Sequence, residues 1–230
     1  DTSSLQISGT HFSSYTDLTE SGVLFQDDST DHLPVIRNGS TLQSSVDNFI
    51  LSISPSSIET GDYGGLDGNV ELTGLNTTIQ IKDVYTGISG ASGSRRNITF
   101  GDGDDRLLIE TKEYGLNLDY GILRMNDGRD LIKVVNTDSS ISDRIRKSTV
   151  LLGAGDDEIY ARGSSLFKCA QESKFFGMDG DDLFDVGFGE IDVRGGDGSD
   201  TLVIDTEYYG ISVTSSIPDS LPPEEDSELT

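Results

Sequence analysis

Five short stretches of this chain end in aspartate and carry glycine at their centre. They read GDGDD at 101–105, NDGRD at 126–130, GAGDD at 153–157, MDGDD at 178–182 and GDGSD at 196–200. The closing residues Asp105, Asp130, Asp157, Asp182 and Asp200 follow one another at 25, 27, 25 and 18 residues, and the central ones are Gly103, Gly128, Gly155, Gly180 and Gly198. Glycine lets a backbone turn tightly and aim successive carbonyls at one point. Aspartate adds carboxylate oxygens, so the chemistry within reach is the holding of a hard cation. The whole chain leans the same way: 41 Asp+Glu against 16 Lys+Arg give a formal net charge of −25. Such a charge repels nucleic acid and anionic membranes and attracts cations. Most of the acids are Asp, which favours turns and caps, rather than Glu, which favours helices.

The elements that position these turns are legible in their flanks. Two residues after each closing Asp stand Leu107, Ile132, Ile159, Phe184 and Leu202, and two further on Ile109, Val134, Ala161, Val186 and Ile204. Seven residues before it stand Ile98, Leu123, Val150, Phe175 and Val193. Every one of these positions is apolar in a chain that is 33% hydrophobic overall, and each unit reads as strand, tight turn, strand with period-two alternation. An earlier unit fits the same frame through Val70, Leu72, Ile79 and Ile81, with Thr77 at the place of the Asp. One such unit cannot bury its apolar face alone, so the units must stack. The expected fold is all-β, a right-handed parallel β-helix or β-roll solenoid with coils of about 25 residues. A thin core along an axis also suits the low apolar content.

The solenoid is expected over 70–216. Residues 1–69, with strand-like pieces at Ser4–Ile7, Val23–Phe25, Leu33–Ile36 and Phe49–Ile53, are expected to form an N-terminal β cap or irregular extra coils. Residues 217–230 are acidic and Pro-rich and read as a tail or linker. Segments such as 110–122 and 135–148 must close the far side of each coil; the second carries Arg144, Arg146 and Lys147 and is expected at the surface.

The turns resemble the RTX (hemolysin-type) nonapeptide G-G-x-G-x-D-x-U-x, where U is a large apolar residue. Gly195–Val203 (GGDGSDTLV) matches every defined position, and the likeness covers roughly residues 98–204. Three turns depart at the first Gly, with Phe100, Met125 and Leu152; Asn126 and Met178 replace the second Gly in two. The resemblance implies calcium ions between adjacent turns, each held by Asp carboxylates and backbone carbonyls. Carried onto this chain, the ligands are Asp105, Asp130, Asp157, Asp182 and Asp200, with Gly101, Asp102, Gly103, Asp127, Gly128, Gly153, Gly155, Asp179, Gly180, Gly196, Asp197 and Gly198 around them. Because the stretch near Gly187–Ile191 lacks the Asp, one row of ions is expected, along one edge, weakest at the 126–130 turn. Asp104, Asp156 and Asp181 are expected to face solvent and add only negative potential. Stacked carboxylates repel unless a cation lies between them, so the metal doubles as the folding staple.

Three functions suit such a chain. The first is an extracellular structural or adhesive solenoid, assembling end to end into a homo-oligomer, fibre, surface layer or matrix. The second is a calcium-binding module of a larger secreted enzyme or toxin, and the third a β-helical polysaccharide lyase or epimerase. Catalysis has little support and the expectation is that the chain is not an enzyme: His11 and His32 lack a local motif, and Arg95, Arg96 and Lys112 near Tyr114 read as surface residues. A surface glycan is a further class of partner, through Tyr208 and Tyr209. Asn38, Asn76 and Asn97 open glycosylation sequons. The single Cys169 allows no internal disulfide and reads as a small buried hydrophobe or a link to another chain. No apolar run reaches membrane-spanning length. The chain starts at Asp1 with no visible leader, as expected of a mature form or a fragment. By family resemblance it belongs to a bacterial protein exported into calcium-rich surroundings.

Overall fold

The computed structural model describes residues 4–7, 23–25, 41–45, 47–53, 66, 68–84, 86–89, 95–112, 114–137, 144–161, 170–187 and 189–203. These residues form strands and turns and contain no helix. In chain order the strands are β1 (Ser4–Ile7), β2 (Val23–Phe25), β3 (Thr41–Ser44), β4 (Ile50–Ile53), β5 (Asn69–Leu72), β6 (Thr78–Val84), β7 (Ile88–Ser89), β8 (Ile98–Thr99) and β9 (Arg106–Thr111). They continue with β10 (Leu116–Arg124), β11 (Leu131–Asn136), β12 (Ile145–Ala154), β13 (Glu158–Tyr160), β14 (Ala170–Asp179), β15 (Leu183–Asp185), β16 (Gly189–Asp197) and β17 (Thr201–Leu202).

Two sheets result, and from β8 onward the strands alternate between them. One runs β1-β4-β6-β9-β11-β13-β15-β17 and the other β16-β14-β12-β10-β8-β5-β3-β2, with β7 paired to β10 off that path. All neighbours are parallel except β2 and β3, which are antiparallel. Each coil therefore passes from a strand of the second sheet through an acidic turn to a strand of the first, then returns to begin again. The chain is a two-sheet parallel β-solenoid.

Register follows from burial. In the first sheet Leu51, Ile79, Leu107, Ile132, Ile159, Phe184 and Leu202 are successive partners. In the second, Leu42, Val70, Ile98, Leu123, Val150, Phe175 and Val193 are. These columns face each other across one continuous core, and all but the terminal Val193 and Leu202 are buried. A slip of one residue would turn every apolar side chain outward, which is why the alternation sets the pairing so firmly. Phe100, Met125 and Leu152, the departures from glycine before the turns, are fully buried and fill this core at its turn edge.

Phe175 lies between Val150 and Val193 with no exposed surface. Phe175→Ala is expected to cost about 3–5 kcal/mol in chemical denaturation, the usual loss for emptying a buried phenyl site. A loss under about 1 kcal/mol would mean that this column does not form the core.

β3 and β4 continue both sheets N-terminally in parallel register, so a regular coil lies before residue 69. The sequence reading missed β3, a short strand with one apolar residue, Leu42. The expected piece at 33–36 lies outside the described residues, as do Ile204 and the tail at 217–230.

The return side differs from expectation. Residues 145–148 open β12 instead of forming a surface segment, and Arg144 is 1% exposed. Its carbonyl accepts the Leu116 N–H at 2.8 Å, so its backbone belongs to the ladder between coils. Beyond it the second sheet bends: Lys147 and Glu172 have positive φ, as do Asp119 and Tyr120 at a register shift in β10. The buried Ser148 hydroxyl accepts the Leu118 N–H there, at 3.2 Å.

Candidate metal centre

The five acidic turns stack on one another, as their flanking strands require, and place equivalent positions of neighbouring coils side by side. Strand spacing puts equivalent backbone atoms roughly 4.8 Å apart. The turns are tied directly. The N–H of Gly103, Gly128, Gly155 and Gly180 donates to the carbonyl of Asp127, Ala154, Asp179 and Asp197 in the next coil, at 2.5–2.8 Å. Glycine is required at this column. Gly155 has φ +136°, and a Cβ there would stand far inside van der Waals contact with the Gly128 carbonyl oxygen. The same holds for Gly128 against Gly103 and for Gly180 against Gly155.

The closing aspartates form a column beneath. Asp105, Asp130, Asp157 and Asp182 are 0–1% exposed, while Asp200, in the last described coil, is exposed. Each uses Oδ1 to accept the backbone N–H of its counterpart one coil earlier. Asp105 N–H donates to Asp130 at 2.7 Å, Asp130 to Asp157 at 2.7 Å, Asp157 to Asp182 at 3.0 Å and Asp182 to Asp200 at 3.1 Å. The column starts at Thr77, whose N–H and hydroxyl both donate to Asp105 Oδ1. Thr77 thus stands at the aspartate position as the frame predicts, supplying donors and no carboxylate.

The second oxygens are different. Oδ2 of Asp105, Asp130, Asp157 and Asp182 is buried and has no hydrogen-bond partner. Burial pushes these carboxyls up from 3.8, to about 7 for Asp105, about 8 for Asp130, about 7 for Asp157 and about 6 for Asp182. Neighbouring aspartates add to the rise, and the donated N–H of the coil before opposes it. Two unit charges at the strand spacing repel by about 3 kcal/mol at an effective dielectric constant near 20. Four such groups in a row therefore call for protons or cations.

Asp104, Asp156 and Asp181 are exposed, as expected, but they do more than add negative potential. Their Oδ1 atoms accept the N–H of Arg129, Asp181 and Ser199 in the following coil at 2.8–3.1 Å, and Asn76 does the same for Asp104 at 2.8 Å. This second ladder runs opposite to the first: the closing Asp reaches back one coil and the residue before it reaches forward. Its signal in the sequence is the short Asn or Asp recurring at 76, 104, 156 and 181.

Of the other residues carried over by resemblance, Gly101 and Gly153 are buried and Asp102, Asp127, Asp179 and Asp197 are exposed. Gly196 and Gly198 are exposed in the last coil. Asn126 (φ 69°) and Met178 (φ 86°) take the left-handed conformation that Gly153 and Gly196 take in theirs. The carbonyls of Asp127, Ala154, Asp179 and Asp197 are engaged between coils, so they are not idle ligands.

Among the described residues no three Asp, Glu, His or Cys side chains converge on one point. An ion here would take one or two carboxylates and fill its shell with carbonyls and water. That donor set is hard oxygen throughout, which suits calcium and not zinc. The unpartnered Oδ2 atoms, buried and without a donor, fit a cation in charge and in kind. Asp105, Asp130, Asp157, Asp182 and Asp200 are the residues that would hold it.

Elsewhere, Arg96 is buried with Nη1 donating to the Arg95 carbonyl at 3.3 Å, and Arg146 lies 5.9 Å from the Tyr114 ring centre. Lys112 is exposed. Asn97 accepts the Ile122 N–H through its side chain at 3.1 Å. His11, His32, Asn38, Cys169, Tyr208 and Tyr209 lie outside the described residues. Comparison with protein-family models, with curated proteins and with solved structures finds no match to this chain.

Proposed function

We propose that this chain is an extracellular, calcium-binding structural or adhesive solenoid whose turn column folds on calcium and is locked by it. The observation that carries the reading is the row of four buried aspartates, each with one oxygen committed to the neighbouring coil and one without a partner. Calcium between the turns would supply the missing positive charge and gather carboxylates that otherwise repel. The chain's own residues set the row: the glycine column permits close stacking, and the two opposed ladders hold the carboxylates in line.

In this reading, assembly would use the ends of the sheets. β16 and β17 close the two sheets at the C-terminal side, and among the described residues no strand pairs with their outer edges. An open edge of parallel strand is a template for another chain. The reading is non-catalytic, because no recognised motif joins a nucleophile, acid or base.

A calcium titration of chelator-treated protein, followed by circular dichroism and light scattering in the same sample, tests this. The expected result is a β signal that rises with calcium and scattering that grows into large assemblies. A rising β signal in a chain that stays monomeric would favour a module of a larger secreted protein. A chain fully folded in chelator and indifferent to calcium would sink the metal assignment and leave a solenoid held by protonated carboxyls.

A further inference from the structure

We propose that Arg129 is a resident cation that interrupts the calcium row at the gap between the 126–130 and 153–157 turns, leaving one inter-turn gap before it and two after it; this rests on the calcium reading above. The forward ladder is the starting point. Asn76, Asp104, Asp156 and Asp181 each place an oxygen on the N–H of the next coil. Arg129 occupies the same position and has no acceptor atom to offer. The ladder therefore stops at Arg129 and resumes at Asp156.

A different link spans that gap. The Arg129 Nη2 donates to Glu158 Oε1 at 2.9 Å, reaching the first strand residue after the next turn. Asp104 on one side and Asp156 on the other both bear on the guanidinium through their charge. The arginine side chain is 68% exposed, so the pair adds little to stability. Its consequence is a fixed positive charge in the outer ladder, between Asp104 and Asp156, at the coil whose closing Asp130 is buried with an unpartnered second oxygen. A calcium ion entering this gap meets a like charge, and the coil before it offers no outer carboxylate as Asp104, Asp156 and Asp181 do for the gaps that follow them.

The test is a count of bound calcium per chain, by native mass spectrometry and by equilibrium dialysis, for the whole chain and for Arg129→Asp. The variant is expected to bind one more calcium than the parent. Arg129→Ser, which places at this position the residue found at Ser199, serves if the first variant folds poorly. It is expected to lower the half-saturating calcium concentration roughly ten-fold, with the difference shrinking at high salt. A parent that binds calcium, with Arg129→Asp adding no ion and Arg129→Ser leaving the affinity unchanged, overturns the role of Arg129 alone. A parent that binds no calcium overturns it together with the calcium reading.

Discussion

Gly155→Ala is expected to lower the stability of the chain by about 3 kcal/mol or more, from one added methyl group. The glycine has φ +136°, a conformation that L side chains rarely adopt, and such strain alone costs about 1–3 kcal/mol. The methyl would also meet the carbonyl oxygen of Gly128, an atom held in the backbone of the coil before and unable to swing aside. Relief requires the coils to separate. Separation would break the Gly155 N–H bond to Asp179 O at 2.7 Å and strain the aspartate contacts on both sides. Urea denaturation in calcium is the measurement. A variant as stable as the parent would mean that the turns do not stack as described.

The second large effect is in pH. In chelator, the chain is expected to lose stability as pH rises from 5 to 9, by about 3 kcal/mol in total. The sign follows from the carboxyls of Asp105, Asp130, Asp157 and Asp182, raised from 3.8 to between about 6 and about 8. Between those values the folded chain keeps protons that the unfolded chain has released. Stability from these groups is complete below about pH 4 and is lost as pH climbs through the folded values. They titrate as one coupled column, so the whole is less than the sum of the parts. Calcium reverses the slope, because an ion takes the ionised carboxylate and its binding releases the protons. Asp130→Asn separates the two states. It keeps an oxygen for the Asp105 N–H and removes the charge, so it should flatten the fall in chelator and weaken the gain from calcium. Melting temperature across this range, with and without calcium, reads both. A flat or rising profile for the parent in chelator would remove the buried-carboxyl argument.

The fold was legible because its evidence is local and repeated. The apolar columns at Leu107, Ile132, Ile159 and Phe184 and at Ile98, Leu123, Val150 and Phe175 recur at fixed offsets from each closing Asp, and they pair in that register. Where the pattern thins, the reading thins with it. β3 has one apolar residue between polar ones, and Arg144 carries a charge that composition assigns to the surface.

By itself the sequence determined the strand–turn–strand unit, the need to stack, the core columns and the five turns where acid and glycine meet. All of these rest on residue type and spacing along the chain. Only the tertiary structure decided what each turn oxygen faces. The partners of Asp130, Asp104 and Arg129 lie one coil away, 25 to 29 residues distant in sequence. Aspartates at adjacent positions of one turn reach in opposite directions, because successive residues of a turn face different sides. That geometry buries the closing carboxylates, leaves their second oxygens without donors, and places Arg129 at the break in the outer ladder.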